Sequence, residues 1–167
     1  MMVSLAYRPL NPNDFDAVHA IASDWSVVRQ LGNWPWPPNE AFTMGRIAPY
    51  DGEGFVWAVF LAEKLIGTIG LSPKGLGYMY ASGWSGRGIA TKAAMDVIAF
   101  GFKTYDWTEV RASTWIDNPA SAAVLRKCGF THWQTHYEAS LARGIPTLIQ
   151  QHRLSRATWD RLRTAPQ

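Results

Sequence analysis

The stretch Tyr78–Lys92, YMYASGWSGRGIATK, decides the fold of this chain. It begins as a β-like run, continues through a glycine-rich turn and ends in the first residues of a helix. Gly86 and Gly88 flank Arg87 directly before that helix, where several backbone N–H groups have no intrahelical partner. Glycine lets an anion approach these amides, and the helix dipole favours negative charge there. The segment therefore predicts a turn that binds a phosphate or pyrophosphate group.

Two other phosphate-binding motifs fit the same glycines poorly. Gly83 and Gly88 have the spacing of a P-loop, but Ile89 and Ala90 replace its Lys and Ser/Thr. A dinucleotide-binding Gly-x-Gly-x-x-Gly fingerprint would need a glycine in place of Thr91. A third interpretation stays open from the residues alone, in which the glycines only form a tight turn from strand to helix.

The elements around this turn indicate one α/β or α+β domain. In the helix after the turn, apolar side chains recur at helical spacing and predict its buried face: Ile89, Ala93, Val97 and Phe100. Prolines exclude a continuous helix through the Trp/Pro segment at 25–38. The predicted strands are Val3–Arg8, Phe55–Leu61, Leu65–Leu71, Leu76–Tyr80, Val110–Trp115, Phe130–Glu138 and Thr147–Leu154, and helices begin at Asn13 or Asp14, Ile89, Asp117 or Asn118, and Ser155.

The composition excludes several classes of protein. The chain has 167 residues, of which 47% are hydrophobic and 17% charged, which fits a single folded domain over 1–167 and excludes a disordered chain. A net charge of +3 suits an anionic small ligand and is weak evidence for nucleic acid. The single cysteine, Cys128, excludes internal disulfides and a Cys-rich zinc site. With no signal-peptide core and no apolar run long enough for a membrane span, we expect a cytoplasmic protein.

No metal site is predicted. His132 and His136 have His-x-x-x-His spacing, but they lie in a predicted strand and lack the Glu of a zinc-binding helix. Strand alternation would place both on one face, at the surface or at the rim of a cofactor site. Cys128 is expected in the core.

Two motifs together resemble the GNAT superfamily of N-acetyltransferases. Ser85–Ala90, SGRGIA, is similar to the acetyl-CoA pyrophosphate loop Gln/Arg-x-x-Gly-x-Gly/Ala, with Ser85 in place of the long polar first residue. Asn118–Ser121, followed by Lys127–Phe130, is similar to the second signature, an Asn that opens a helix ending in Gly-Phe. The rest of the chain is most similar to the branch typified by ribosomal-protein alanine N-acetyltransferases, the RimJ/RimL-like branch.

The resemblance implies the GNAT fold, a mixed and mostly antiparallel sheet flanked by helices, with two parallel central strands that splay apart. Leu76–Tyr80 and Val110–Trp115 would be these strands. The pantetheine arm of acetyl-CoA would lie in the gap, and the amides of the turn would bind its pyrophosphate. The cofactor-binding residues that the resemblance implies are Tyr78, Met79, Tyr80, Ser85, Gly86, Arg87, Gly88, Ile89, Ala90, Thr91, Asn118, Ser121 and Lys127.

The resemblance also implies candidate catalytic residues. In the RimJ/RimL-like branch a serine at the position of Ser121 donates a proton to the leaving sulfur. Many other members use a Tyr four positions later, where this chain has Leu125. Relatives often carry a glutamate in the register that Gly75 occupies here. Glu138, on the strand after Phe130, lies near the position where the RimJ/RimL-like branch places its catalytic glutamate, so the resemblance implies Glu138 as the base. A surface role for Glu138 and a water chain as the base both stay open.

The expected activity is transfer of acetyl from acetyl-CoA to a primary amine by direct attack on the thioester, without a metal. The acceptor is a protein N-terminus or a small amine such as a polyamine, an amino acid or an antibiotic. The side chains expected near the acceptor are Trp25, Trp34, Trp36 and Trp57, with Glu40, Asp51 and Glu53 as sources of negative charge. The rival function is an acyl-CoA-binding module without catalysis. Neither nucleic acid nor a membrane is an expected partner, and a monomer and a homodimer are both open.

Overall fold

A seven-stranded sheet forms the frame of the protein in the computed structural model, which describes residues 3–164. Its strands are β1 (Leu5–Pro9), β2 (Phe55–Leu61), β3 (Lys64–Ser72), β4 (Gly75–Tyr80), β5 (Glu109–Trp115), β6 (Thr131–Ala139) and β7 (Pro146–Ser155). They lie in the order β1-β2-β3-β4-β5-β7-β6, and each neighbouring pair is antiparallel except β4 and β5. The predicted mixed, mostly antiparallel α/β (α+β) fold is confirmed.

The helices cover both faces of this sheet. They are α1 (Phe15–Ala22), α2 (Trp25–Val28), α3 (Glu40–Ile47), α4 (Ile89–Thr104), α5 (Pro119–Cys128) and α6 (Arg156–Thr164). One apolar core lies between the sheet and α4, α5 and α6, and a second lies between the sheet and α1, α2 and α3. Ala58 and Val59 are neighbours on β2 and both fully buried, but they belong to different cores because side chains alternate along a strand. Within the described residues no helix is long and apolar enough to cross a membrane.

The parallel strands β4 and β5 meet at one point and then separate. Leu76 pairs with Ala112, and that is the single pair between the two strands among residues 3–164. Gly75 permits this close approach, since its φ is 137° and a Cβ there would lie 3.0 Å from the carbonyl oxygen of Arg111. β4 stays paired with β3 as far as Tyr80, whereas β5 follows β7. The sheet therefore opens between β4 and β5, as the resemblance implies.

The start of the chain differs in detail from the prediction. β1 begins at Leu5, two residues after Val3. A short 3₁₀ turn that was not predicted, Pro12–Asp14, precedes α1 and is capped by Asn11. The Asn11 side chain accepts the N–H of Asn13, and the Asp14 carboxylate accepts the N–H of Asn11 in return, which forms a capping box. Asp14, one of the two predicted caps, is the N-cap residue of α1, but its side chain makes no capping hydrogen bond to that helix.

The buried face of α4 also differs from the prediction at one position. Phe100 is 40% exposed and packs edge-on against Phe55 and Trp57. The neighbouring Gly101 is buried instead, and a Cβ there would lie 2.6 Å from Leu71 Cδ2. The missing side chain of Gly101 lets the helix lie close to β3, which turns Phe100 towards the edge of the core.

Candidate active site

A cleft of about 1710 Å³ opens where β4 and β5 separate. One side, the glycine-turn side, is formed by the turn before α4 and by α5. The other, the Trp34 side, is formed by α3 and the Trp/Pro segment on the opposite face of the sheet. Trp115, Ile149 and His136 lie in register across β5, β7 and β6 and line the wall of the Trp34 side.

The glycine-rich turn leaves room for a ligand at the N-terminus of α4. Gly86 and Gly88 have φ of 75° and 74°, a conformation that residues with a Cβ rarely adopt. A Cβ at either position would meet no atom within 4 Å, so both glycines face open space. The N–H of Lys92 bonds to the carbonyl of Gly88, and the amides that precede it have no acceptor in the helix. Free amides at a positive helix end fit a pyrophosphate group.

Asn118 and Ser121 form the first turn of α5. The Asn118 Oδ1 accepts the N–H of Ser121 at 3.2 Å and caps the helix, with Pro119 at the first helical position. The hydroxyl oxygen of Ser121 lies 2.7 Å from the hydroxyl oxygen of Tyr78 on β4. Ser121 therefore does not hydrogen-bond back to its own helix. Its hydrogen bond crosses the opening of the sheet.

The environment of Tyr78 fixes its protonation state. Burial raises the pKa of Tyr78 to about 12, so the phenol keeps its proton at neutral pH. When Tyr78 donates to the Oγ of Ser121, the serine proton is free to point into the cleft. Ser121 is then a hydrogen-bond donor towards a ligand in the opening of the sheet.

Each residue that the sequence predicts for the site lines this cleft. On the glycine-turn side and along β4 these are Tyr78, Met79, Tyr80, Ser85, Gly86, Arg87, Gly88, Ile89, Ala90, Thr91, Asn118, Ser121 and Lys127, and Glu138 lies on the wall of the Trp34 side. Met79 is 4% exposed and packs in the core under α1–α3, which leaves its backbone as the part available to a ligand. The roles of these residues stay predictions.

A bulge in β6 separates the two histidines that the sequence places on one face. The register shifts between His132 and Gln134, so His132 lies opposite His152 whereas His136 lies opposite Ile149. The expectation of a shared face is therefore wrong. His136 lines the cleft, and its Nε2 lies 3.8 Å from the Oε2 of Glu138, which is half-exposed.

The register that often carries a glutamate in relatives cannot hold one easily here. Gly75 combines a left-handed backbone with a contact of 3.0 Å between a built Cβ and the Arg111 carbonyl oxygen. A larger side chain would strain β4 at its pairing point with β5. This constraint explains in physical terms why the chain departs from the pattern at Gly75.

The Trp34 side differs from the expectation for the acceptor site. Trp34 is 7% exposed and Trp57 is partly buried, and both line the cleft, whereas Trp25 and Trp36 pack on each other outside its lining. Trp34 both packs in the core and faces the cleft. Of the expected carboxylates Glu40, Asp51 and Glu53, the cleft lining includes Asp51 alone.

The sequence matches a known family over most of its length. Residues 4–131 match the family described as an acetyltransferase (GNAT) domain. The chain belongs to the GNAT acetyltransferase family. It is thus an N-acetyltransferase whose acetyl donor is acetyl-CoA.

Solved structures share the fold of this GNAT acetyltransferase. A spermidine N-acetyltransferase from Vibrio cholerae, in complex with CoA and spermine, has a TM-score of 0.78 at 15% identity over 93% of this chain and 97% of its own. An acetyltransferase from Salmonella typhimurium that modifies the N-terminal serine of ribosomal protein L7/L12 has 0.77 at 16%, over 92% and 96%. AAC(6')-Ib in complex with ribostamycin and CoA has 0.83 at 15%, over 98% and 99%. At these identities the likeness concerns the fold.

Three features of the acetyltransferase site were missed from the sequence. The first is the hydroxyl of Tyr78, whose contact with Ser121 across the opening of the sheet has no signal in the sequence. The second is the face of β6 on which His136 lies, because the bulge that separates it from His132 has no clear sequence signal. The third is Arg46 on α3, which lines the cleft and lies over the rings of Trp34 and Phe42. No motif marks this arginine, since its neighbours come from a separate segment.

Cys128 does not take part in the site. It is fully buried in the core, and burial raises the pKa of its thiol to about 11. A thiol that keeps its proton is a poor nucleophile, in agreement with the core position that the sequence predicts. Among residues 3–164 no group of three or more His, Cys, Asp or Glu side chains is arranged to hold a metal ion.

Proposed function

We propose that residues 1–167 form a single RimJ/RimL-like acetyltransferase domain that acetylates a primary amine at a peptide N-terminus in the cytoplasm. In this proposal Ser121 protonates the departing sulfur, and the turn at Gly86–Ala90 binds the pyrophosphate. The observation that carries it is the 2.7 Å hydrogen bond between Ser121 and Tyr78 across the open sheet. It holds a serine hydroxyl in the gap where the parallel strands separate.

The chain's own residues then divide the chemistry between them. Acetyl-CoA supplies a thioester whose carbonyl carbon reacts with the amine. As the new C–N bond forms and the C–S bond breaks, the Ser121 hydroxyl donates its proton to the sulfur, and water in the open cleft returns a proton to the Oγ. Tyr78 acts through Ser121 as a positioning residue, because its hydrogen bond to the Oγ leaves the serine proton directed into the cleft. Asn118 fixes the backbone of this turn.

Glu138 is the proposed base and accepts the proton that leaves the amine. It lies on the wall of the Trp34 side, whereas Ser121 lies on the glycine-turn side. This separation suits the reaction, since the proton leaves the nitrogen on one side of the carbonyl carbon and reaches the sulfur on the other. The Nε2 of His136 lies 3.8 Å from the Oε2 of Glu138, so His136 is the side chain next to the proposed base.

The charge of the cleft supports an acceptor with one positive charge over a polycation. The carboxylates that line the cleft among the described residues are Asp51 and Glu138. The cationic side chains that line it are Arg46, Lys74, Arg87, Arg111 and Lys127. A polyamine or an aminoglycoside needs several carboxylates to offset its charge. A peptide N-terminus brings a single amine and extends along the cleft.

The proposal is tested by following CoA release with a panel of amines, which includes short peptides, spermidine and an aminoglycoside. We expect peptides to be acetylated with the highest kcat/KM. Ser121→Ala should lower kcat by about 100-fold or more, since general acid catalysis contributes on that order. Tyr78→Phe should lower kcat by about 10-fold, and combined with Ser121→Ala it should cause no further loss because both act on one proton.

The matched control is Tyr7→Phe. The Tyr7 hydroxyl also makes a hydrogen bond to a distant residue, at 2.6 Å from Asp96 Oδ2, but Tyr7 lies outside the cleft lining. It should change stability without changing kcat. A Ser121→Ala variant with the wild-type rate would remove Ser121 from the mechanism, and faster turnover of spermidine than of any peptide would overturn the proposed acceptor.

A further inference from the structure

Arg46 is a cationic group of the cleft that the proposed reaction does not use. It lies in the last turn of α3 and lines the Trp34 side. Its guanidinium carbon lies 5.3 Å from the ring centre of Trp34 and 5.7 Å from that of Phe42, and the two rings pack edge-on. Because Trp34 is nearly fully buried, it forms a firm support for the guanidinium. Stacking fixes the plane of the group while its N–H donors stay available.

The other enclosed arginines of the protein have their donors occupied. Arg143 makes two bonds of 2.9 Å to the Asp117 carboxylate and further bonds to neighbouring residues. Arg156 donates to three backbone carbonyls. Arg46 makes one long hydrogen bond, of 3.4 Å to Asn33 Oδ1, and takes part in none of the ion pairs of residues 3–164. Most of its N–H donors therefore have no partner among the described residues, and the residue lines the cleft.

The surroundings of Arg46 are concave yet open to solvent. Desolvation by the neighbouring protein lowers the pKa of its guanidinium, and among residues 3–164 no carboxylate offsets the effect. The residue is nonetheless exposed where it lines the cleft. An accessible positive charge without a counter-charge among the described residues fits an anion brought by a ligand.

We propose that the acceptor amine carries a carboxylate and that Arg46 binds this carboxylate on the Trp34 side of the cleft. The amide of Asn33 lies beside the guanidinium and can donate to the second carboxylate oxygen. In the proposed peptide acceptor the carboxylate belongs to an acidic residue that follows the acetylated N-terminus; a free amino acid, which would replace the peptide as acceptor, is the alternative source that the experiment separates. This inference rests on the proposed function, since it names the chemistry of the same acceptor.

The experiment compares matched acceptors that differ in one charge. The first arm sets free amino acids against their carboxamides, and the second sets amidated tripeptides with Glu at the second position against those with Gln. Each pair is assayed with the wild type, Arg46→Gln and Arg46→Lys by CoA release. The control is Arg163→Gln, which changes an arginine stacked at 4.1 Å on Trp159, outside the cleft lining.

We expect the wild type to prefer the carboxylate partner of at least one arm by about 10-fold or more in kcat/KM, since one charge-assisted bidentate contact contributes on that order. Arg46→Gln should abolish the preference through the KM of the acceptor and leave the KM of acetyl-CoA unchanged. Arg46→Lys should keep part of it, and Arg163→Gln all of it. The arm that shows the preference identifies the source of the carboxylate.

Equal use of both partners in both arms, or a preference that survives Arg46→Gln, would overturn the inference while the transferase stands. If no amine releases CoA, the proposed acceptor chemistry fails. Calorimetric titration of the same pairs in the presence of CoA then decides the role of Arg46 separately. Tighter binding of the carboxylate partner that Arg46→Gln abolishes would support the inference, and equal binding would overturn it.

Discussion

The two sides of the cleft contain the same pair of side chains in different settings. Arg87 lies 4.9 Å from the ring centre of Trp84 on the glycine-turn side, and Arg46 lies 5.3 Å from that of Trp34 on the other. Neither makes an ion pair with the chain within residues 3–164. The first pair belongs to one continuous segment, whose backbone amides are the groups proposed to bind the pyrophosphate. The second pair joins two separate segments, so on the Trp34 side the groups that can contact a ligand are side chains.

Because of this difference, we expect single substitutions to weaken ligand binding more on the glycine-turn side than on the Trp34 side. On the glycine-turn side, recognition depends on backbone conformation, and one wrong residue removes several amide donors together. On the Trp34 side, each side chain contributes a separate contact, so the loss of one side chain should weaken ligand binding only in part.

The largest effect is expected from Gly88→Trp. A residue with a Cβ is strained at φ 74°, and the indole would fill the open space beside the amides of the turn. Calorimetry should show acetyl-CoA binding weakened by about 100-fold or more. Gly144→Trp is the matched control, since Gly144 has φ 69° and open space but lies outside the cleft lining. Equal weakening by both variants would mean that strain alone acts, and the turn would lose its binding role.

The same contrast explains what the sequence could predict. Local backbone chemistry sets the glycine turn, the cap at Asn118 and the left-handed Gly129, so a few consecutive residues are enough to predict each of them. The strands around them follow from hydrophobic alternation. The position of Phe100 and the face of His136 depend on a glycine and a bulge that act through tertiary contacts. No local pattern encodes them.

The Trp34 side shows this limit most clearly. Trp34 and Trp36 are two residues apart in the same Trp/Pro segment, yet one is buried against the core and the other packs on Trp25. Arg46 comes to Trp34 only through the packing of α3. Composition therefore indicates that aromatic side chains gather near the acceptor, but it does not select which of them face it.

The second effect in size concerns Glu138. If this carboxylate is the base, Glu138→Gln should lower kcat by about 10-fold to 100-fold and leave acetyl-CoA binding unchanged, as is usual for loss of a general base. Tyr137→Phe is the control, because Tyr137 precedes Glu138 on β6 and is 69% exposed. If Glu138→Gln keeps the wild-type rate while His136→Gln loses it, the base is His136. Steady-state kinetics and calorimetry separate the two effects.

A smaller effect is expected from the Arg143 clamp, the hydrogen bonds by which Arg143 joins Asp117 in the β5–α5 loop to the chain after α2. Arg143 holds Asp117 by two hydrogen bonds and also bonds to the Arg29 carbonyl and the Gln30 side chain. Asp117→Asn should raise the acceptor KM by about 2-fold to 5-fold, because it loosens the Trp34 side without removing a ligand contact. Glu109→Gln, which breaks the exposed pair with Arg111, should leave the KM unchanged.

The clamp also predicts a pH dependence. Arg143 holds the pKa of Asp117 below its ordinary value. A lowered folded-state pKa stabilises the protein above the unfolded value of about 3.9, and this contribution is lost as the pH falls through the folded value. The difference in Tm between wild type and Asp117→Asn should therefore be constant from pH 6 to 8 and shrink as the pH approaches 3. A difference that grows in acid would show that the clamp does not hold a charged Asp117.

The smallest effect is expected at Trp36, and it should contrast with a larger effect at Trp34 in the same Trp/Pro segment. Trp36 is 38% exposed and lies outside the cleft lining, so Trp36→Phe should change the acceptor kcat/KM by less than about 2-fold. Trp34→Phe keeps an aromatic core residue but shortens the support under Arg46, and it should cost about 3-fold to 10-fold in the acceptor KM. If both substitutions act equally, the Trp34 side does not recognise the acceptor through a fixed arginine. If only Trp34→Phe raises the acceptor KM, and only for acceptors with a carboxylate, then acceptor recognition on the Trp34 side depends on the support that Trp34 gives to Arg46.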